Sequence, residues 1–122
     1  FSSMFVALAL LLTSAISAPA ANRFEHKAFE AARAAGKTIL IDVYAPWCPT
    51  CRQQRPIVES IQKENPTLVV FEVDFDNAKD VLKRFGVRYQ STLIVFRGAT
   101  EVGRSTGETD PKRIRALIAK GF

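Results

Sequence analysis

Strand-forming runs that alternate with amphipathic segments predict an α/β domain, a central mixed sheet flanked by helices on both faces. Three observations carry that expectation. Residues 38–44 and 68–74 are rich in β-favouring residues and almost continuously apolar, as strands buried on both faces require. The segments between the strand runs have helical spacing, which implies parallel strands joined by right-handed crossovers. Residues 92–96 and 101–105 flank the turn Arg97-Gly98-Ala99-Thr100 and make a C-terminal antiparallel hairpin, followed by one more helix.

Each element has a local reason. Asn22 is placed to cap a helix over residues 23–35, with Phe24, Ala28, Phe29 and Ala32 on its apolar face and Gly36 at its end. Residues 38–44 form the central strand. Pro49 opens the second helix, because proline lacks an N–H that the first turn leaves unpaired anyway. That helix runs to Glu64, and Pro56 inside it predicts a kink. Pro66 and Thr67 punctuate before the strand at 68–74. A short helix over 78–85 closes at Gly86. Gly107 ends the hairpin, and Asp110 caps a last helix over 111–120.

At 122 residues and 48 % hydrophobic, the chain is long enough for one domain with its own core. The net charge of +5 raises the question of nucleic acid. The basic residues are scattered, however, and the densest group, Lys112, Arg113 and Arg115, lies on a solvated helix face. No basic tract with interleaved aromatics occurs, so no nucleic-acid partner is expected.

No charge occurs before Arg23, and residues 4–12 form a compact apolar block followed by small residues up to Ala18-Pro19-Ala20. Residues 1–20 therefore read as a signal peptide, with the domain over 21–122. An anchor over 4–21 is the alternative, although a span needs about 20 apolar residues. Either way the domain is expected to be exported, to a bacterial periplasm, where disulfides form and persist.

The chemistry lies in Trp47-Cys48-Pro49-Thr50-Cys51, which contains the only two cysteines. At the start of a helix, unpaired N–H groups and the helix dipole favour an anion, so Cys48 is expected to be the low-pKa nucleophile. Cys51, one turn on, is close enough to resolve a mixed disulfide. Zinc needs about four ligands, and the chain offers two cysteines and a single histidine, His26, expected on a helix surface. A disulfide closing so short a loop would stabilise little. A redox pair is the better reading.

With Trp-Cys-x-x-Cys after a central strand, the chain resembles the thioredoxin family from about Phe24 to Phe122. Asp42, six residues before Cys48, matches the family's buried acid; Pro56 matches its helix proline. Val73-Asp74-Phe75-Asp76, Phe85-Gly86-Val87-Arg88 and Gly107 match further positions. The resemblance implies a thioredoxin-like fold and a thiol-disulfide oxidoreductase in which Cys48 attacks, Cys51 resolves and Asp42 relays a proton. It implies docking of partner chains on Trp47, Pro49, Gln90, Ser91 and Gly107. Partners would be disulfide or dithiol proteins, with a membrane electron donor among them. The domain would act as a monomer, as a reductant or electron relay, and with no cofactor beyond the Cys48–Cys51 disulfide.

Three departures from the family pattern matter. Ser91 stands where the family has a cis-proline facing the cysteines. A cis bond before a non-proline residue costs about 2.5–4 kcal/mol, so a trans bond and an altered loop are expected. Pro49-Thr50 replaces the usual Gly-Pro between the cysteines. Glu72 falls where many members carry a lysine, and beside Asp42 it would raise one carboxyl pKa. Loss of the shielding proline also opens an alternative: two chains, each giving Cys48 and Cys51, could hold an iron–sulfur cluster or copper(I) between them.

Overall fold

The computed structural model describes residues 21–122, together with Ser2, Ala7, Ala9, Leu10 and Leu11. The expected signal peptide or anchor thus lies almost wholly outside the described residues. Among those described, no helix is long and apolar enough to cross a membrane.

Among the described residues, nine elements follow in order: β1 (Asn22–Arg23), α1 (His26–Ala34), β2 (Thr38–Tyr44), α2 (Pro49–Glu64), β3 (Val69–Asp74), α3 (Lys79–Phe85), β4 (Thr92–Arg97), β5 (Thr100–Thr106) and α4 (Pro111–Ala119). They form one five-stranded sheet in the order β1-β3-β2-β4-β5. β1 and β2 both run parallel to β3, whereas β4 runs antiparallel to β2 and to β5. The sheet is mixed, as the alternation of strands and helices requires.

β2 lies at the centre, and every residue from Thr38 to Val43 is buried. Alternation along it divides the core in two. Ile39, Ile41 and Val43 join Phe24, Phe29, Phe71 and Phe96 beneath α1 and α3. Leu40 faces the other way, with Val58 and Ile61 of α2, Val70, Leu93 and Val95 of the sheet, and Ile114 and Ile118 of α4. The period-2 geometry of strands puts Asp42 and Glu72 on this second side, under α2.

One expectation fails. Asn22 caps no helix: Asn22 and Arg23 lie extended along the free edge of β3, opposite Phe71 and Glu72. The Phe24 amide continues the ladder by donating to the Glu72 carbonyl at 2.9 Å. α1 starts only at His26, after Glu25, and Ala28 is exposed. The cause is tertiary. Buried Phe24 meets Phe29, Phe71 and Phe85 at ring distances of 5.4, 5.8 and 5.6 Å, and reaching that cluster holds its stretch of chain in register with the sheet.

The remaining boundaries fall within a residue or two of expectation. α2 continues through Pro56, and α3 closes on Gly86 at φ 63°, in the left-handed region where a side chain is disfavoured. Asp110 caps α4 by accepting from the Lys112 amide at 2.9 Å.

Candidate redox site

The site forms where β2 runs out into α2. After Tyr44 and buried Ala45 the chain turns, and the Cys48 amide donates to the Ala45 carbonyl at 3.1 Å. Cys48 is the N-cap of α2, with extended backbone, and Pro49 follows in the first turn. The Cys51 amide donates to the Cys48 sulfur at 3.1 Å. A helix start thus aims a main-chain donor at the first sulfur, which stabilises negative charge there. Both thiols are free, and both residues are 1 % exposed, packed with Ala45 against Tyr44 and Phe75.

Cys51 sits deeper in chemical terms. Its thiol donates to the Val43 carbonyl at 3.8 Å. Burial first, and then its hydrogen bond to Cys48, push its pKa up to about 12, although the backbone amides of Ala45 and Ser91 work in the opposite direction. It is therefore a protonated thiol at neutral pH, and its reaction calls for a base.

Asp42 is the buried acid, and one of its carboxyl oxygens, Oδ1, has no hydrogen-bond partner in the protein. Burial foremost, and the charge of Glu72 next, raise its pKa to about 7 against the pull of Arg55. Glu72 does neighbour Asp42: the two are directly paired between β2 and β3. Arg55 bonds Glu72 at 2.6 Å and lies 3.7 Å over the Tyr44 ring, while Arg52 donates to the Pro46 carbonyl at 3.1 Å. No hydrogen bond joins Asp42 directly to either cysteine among the described residues.

Around the sulfurs, Trp47 is 53 % exposed, and its indole N–H donates to both Asp76 carboxylate oxygens at 3.1 and 2.9 Å. Tyr89 is exposed too, and Gln90 is half-buried. Ser91 has a trans peptide bond and φ of 60°, the one left-handed residue other than glycine among those described. Its N–H donates to the Val43 carbonyl at 2.8 Å, and its carbonyl accepts from the Gly107 N–H at 3.1 Å. Gly107 itself has φ 77°, a conformation that suits glycine. The main-chain bonds available at Ser91 and from the Gly107 N–H are thus made within the protein.

The parts that two residues play at the site escaped the reading of the sequence. Asp76 anchors Trp47 from the turn after β3, a link of 29 positions that no local pattern reveals. Gln54 is fully buried, and its amide donates to the carbonyls of Ser91 at 3.1 Å and Glu108 at 2.9 Å. A signal for it did exist: Cys51, Gln54, Val58, Ile61 and Gln62 form the inward side of α2, and a buried amide at that spacing calls for a partner. His26 lies on the surface beside Asp80 and Arg84. Among the described residues, no group of three or more His, Cys, Asp or Glu side chains is arranged to hold a metal ion.

A dithiol at a helix start, closing a central strand of a mixed sheet and backed by a buried acid, defines a protein built for thiol-disulfide exchange. Comparison with known proteins gives the family. The family model described as Thioredoxin matches residues 20–120. The thioredoxin of Chlamydia muridarum is 34 % identical over 82 residues, which cover 67 % of this chain and 80 % of that protein. The thioredoxin of Echinococcus granulosus is 34 % identical over 91 residues, covering 75 % and 84 %. Among solved structures, Trxlp from Edwardsiella tarda superposes with a TM-score of 0.77 at 40 % identity, covering 81 % of this chain and 98 % of that one. The chain belongs to the thioredoxin family, whose members are disulfide oxidoreductases acting on disulfide-containing proteins.

Proposed function

We propose that this protein reduces disulfides, or relays reducing equivalents, in exported proteins, with Cys48 as nucleophile, Cys51 as resolving thiol and Asp42 as proton acceptor. The observation that carries the assignment of roles is the Cys51 amide held 3.1 Å from the Cys48 sulfur at the N-cap of α2. The Cys48 thiolate attacks one sulfur of the partner's disulfide, forms a mixed disulfide and expels the partner's other sulfur as a thiolate. Cys51 then gives up its proton and attacks the Cys48 sulfur. The partner leaves with both thiols reduced, and the protein keeps the two-electron oxidation as the Cys48–Cys51 disulfide.

The proton of Cys51 needs a destination, because that thiol is held far above neutral pH. Asp42, poised near 7 on the adjoining strand, suits the task. Trp47, Pro49 and Gln90 present the docking rim, and Ser91 and Gly107 shape its floor. The burial of both cysteines favours disulfide exchange over a cluster shared between two chains. Exchange needs one sulfur approached along one line, whereas a shared cluster needs both thiolates of each chain at the surface. The protein works as a monomer, without a bound cofactor, in the periplasm, and a membrane protein re-reduces it. The charge-free apolar start of the sequence supports export.

The reduction potential of the pair tests the direction. Equilibrated in glutathione or dithiothreitol buffers, a reductant should sit near about −270 mV, and a value near about −120 mV would instead make the protein an oxidant.

A further inference from the structure

We infer that Gln54 is a positioning residue: its buried amide, on the helix that bears both cysteines, holds the Ser91 and Glu108 loops where a partner's chain must dock. This rests on the disulfide-exchange reading above. Gln54 is wholly buried on the inward side of α2, beside Cys51, Val58 and Ile61. The other buried glutamine of the helix, Gln62, lies two turns on and its Nε2 bonds nothing in the protein, whereas the Nε2 of Gln54 makes two bonds. Burying an amide is unfavourable unless its groups are bonded, and its Oε1 has no partner in the protein. Packing alone therefore gives no reason for glutamine here.

What the side chain does accomplish is a double clamp. Its Nε2 donates to the Ser91 carbonyl at 3.1 Å and to the Glu108 carbonyl at 2.9 Å, across 37 and 54 positions. Ser91 needs such support. An L-residue in the left-handed region persists only where its surroundings over-determine it. Val43 holds its N–H, and Gly107 shares its carbonyl with Gln54. Of these three holds, only Gln54 comes from the cysteine-bearing helix. The Val43 carbonyl also accepts the Cys51 thiol, so the loop and the resolving sulfur share one acceptor. The exposed Tyr89 and the adjoining Gln90 ride on the same loop.

The test uses the full chain with Gln54→Met and Gln54→Leu, which keep the apolar bulk and remove both donors. Insulin serves as the protein disulfide and DTNB as a small one that needs no docking rim. In either variant the KM for insulin should rise about tenfold, the equivalent of roughly one hydrogen bond, with kcat for insulin and the DTNB rate within about twofold of wild type. An unchanged insulin KM in a folded variant overturns the clamp, as does an equal fall with insulin and DTNB. A wild type that reduces neither substrate would instead refute the exchange reading. A measurement on the wild type decides if the variants do not fold or the exchange reading fails. By NMR, both side-chain amide protons of Gln54 should exchange with solvent at least about tenfold more slowly than those of exposed Gln53. Equal exchange overturns the clamp.

Discussion

The cysteine pair lies between two walls held by different means. On one side β2 passes into α2, and the main-chain groups of the two cysteines bond near neighbours: Cys48 to Ala45, Cys51 to Cys48, Arg52 to Cys48. On the other side Ser91 sits in a left-handed conformation and is held by Val43, Gly107 and Gln54, none of them near it in the chain. The first wall carries the reacting atoms and the second shapes the approach to them. A reactive dithiol can thus be encoded in one short segment, while the surface beside it depends on the whole fold.

The largest effects should come from the local wall. Cys48→Ser should abolish insulin reduction, whereas Cys51→Ser should still attack and accumulate mixed disulfides visible on non-reducing gels. Equal residual activity in the two variants would remove the distinction between attacker and resolver. Asp42→Asn comes next, with resolution slowed about tenfold to a hundredfold and the limb near pH 7 gone from the pH–rate profile. The same change affects stability with a definite sign. The folded carboxyl titrates near 7 and its ordinary value is near 3.8, so between those values the folded state keeps a proton that the unfolded chain has lost. Stability contributed by the protonated acid is complete below about pH 4 and lost as pH rises through 7. Asp42→Asn should therefore be more stable than wild type at pH 8, by about 2–4 kcal/mol, and gain little at pH 4. A gain that does not depend on pH would detach the substitution from the titration.

The same division explains how much could be read from the residues alone. The Trp47–Cys51 segment, the buried strand at 38–44, the closing Gly86 and the Asp110 cap all follow from spacing and local chemistry, and the structure has them where expected. Asn22 has the local character of a helix cap, but its extended conformation is set by pairing with the distant edge of β3. Ser91 could be seen to replace a proline, and its trans bond followed from the cost of the cis form. The sign of its φ did not, because that depends on carbonyls and amides brought in from β2, α2 and the turn after β5. The Trp47–Asp76 bond is of the same kind.

The two substitutions at Ser91 should shift stability in opposite directions. Ser91→Pro removes the N–H that reaches Val43 and demands φ near −65° where the chain has 60°. It should destabilise by about 2–4 kcal/mol in chemical denaturation, the sum of a lost hydrogen bond and an incompatible backbone. Ser91→Gly relieves left-handed strain of about 1–2 kcal/mol at an entropic cost of about 0.5–1, a net gain of up to about 1.5 kcal/mol. Should Ser91→Pro be as stable as wild type, the second wall would be far softer than its bonds imply.

The smallest expected effect links the local wall to its neighbours across the sheet. Glu72 raises the pKa of Asp42 and Arg55 lowers it, and the two are bonded to each other. Glu72→Gln removes the like charge, so the limb near pH 7 should move to lower pH. Arg55→Gln removes the opposing cation, so the limb should move higher, each by about one pH unit or less. Arg55→Lys keeps the charge and should leave the limb nearly in place, although it gives up the planar stacking over Tyr44. Both side chains are about one-third exposed, at 34 % for Glu72 and 38 % for Arg55, so the separation between the two Gln variants should shrink in about 1 M salt. Opposite displacements are the informative outcome, because a general loosening of α2 against the sheet would move both variants in one direction. Coincident limbs would leave burial alone in control of Asp42, and the neighbouring charges would then have no part in setting when the resolving proton leaves.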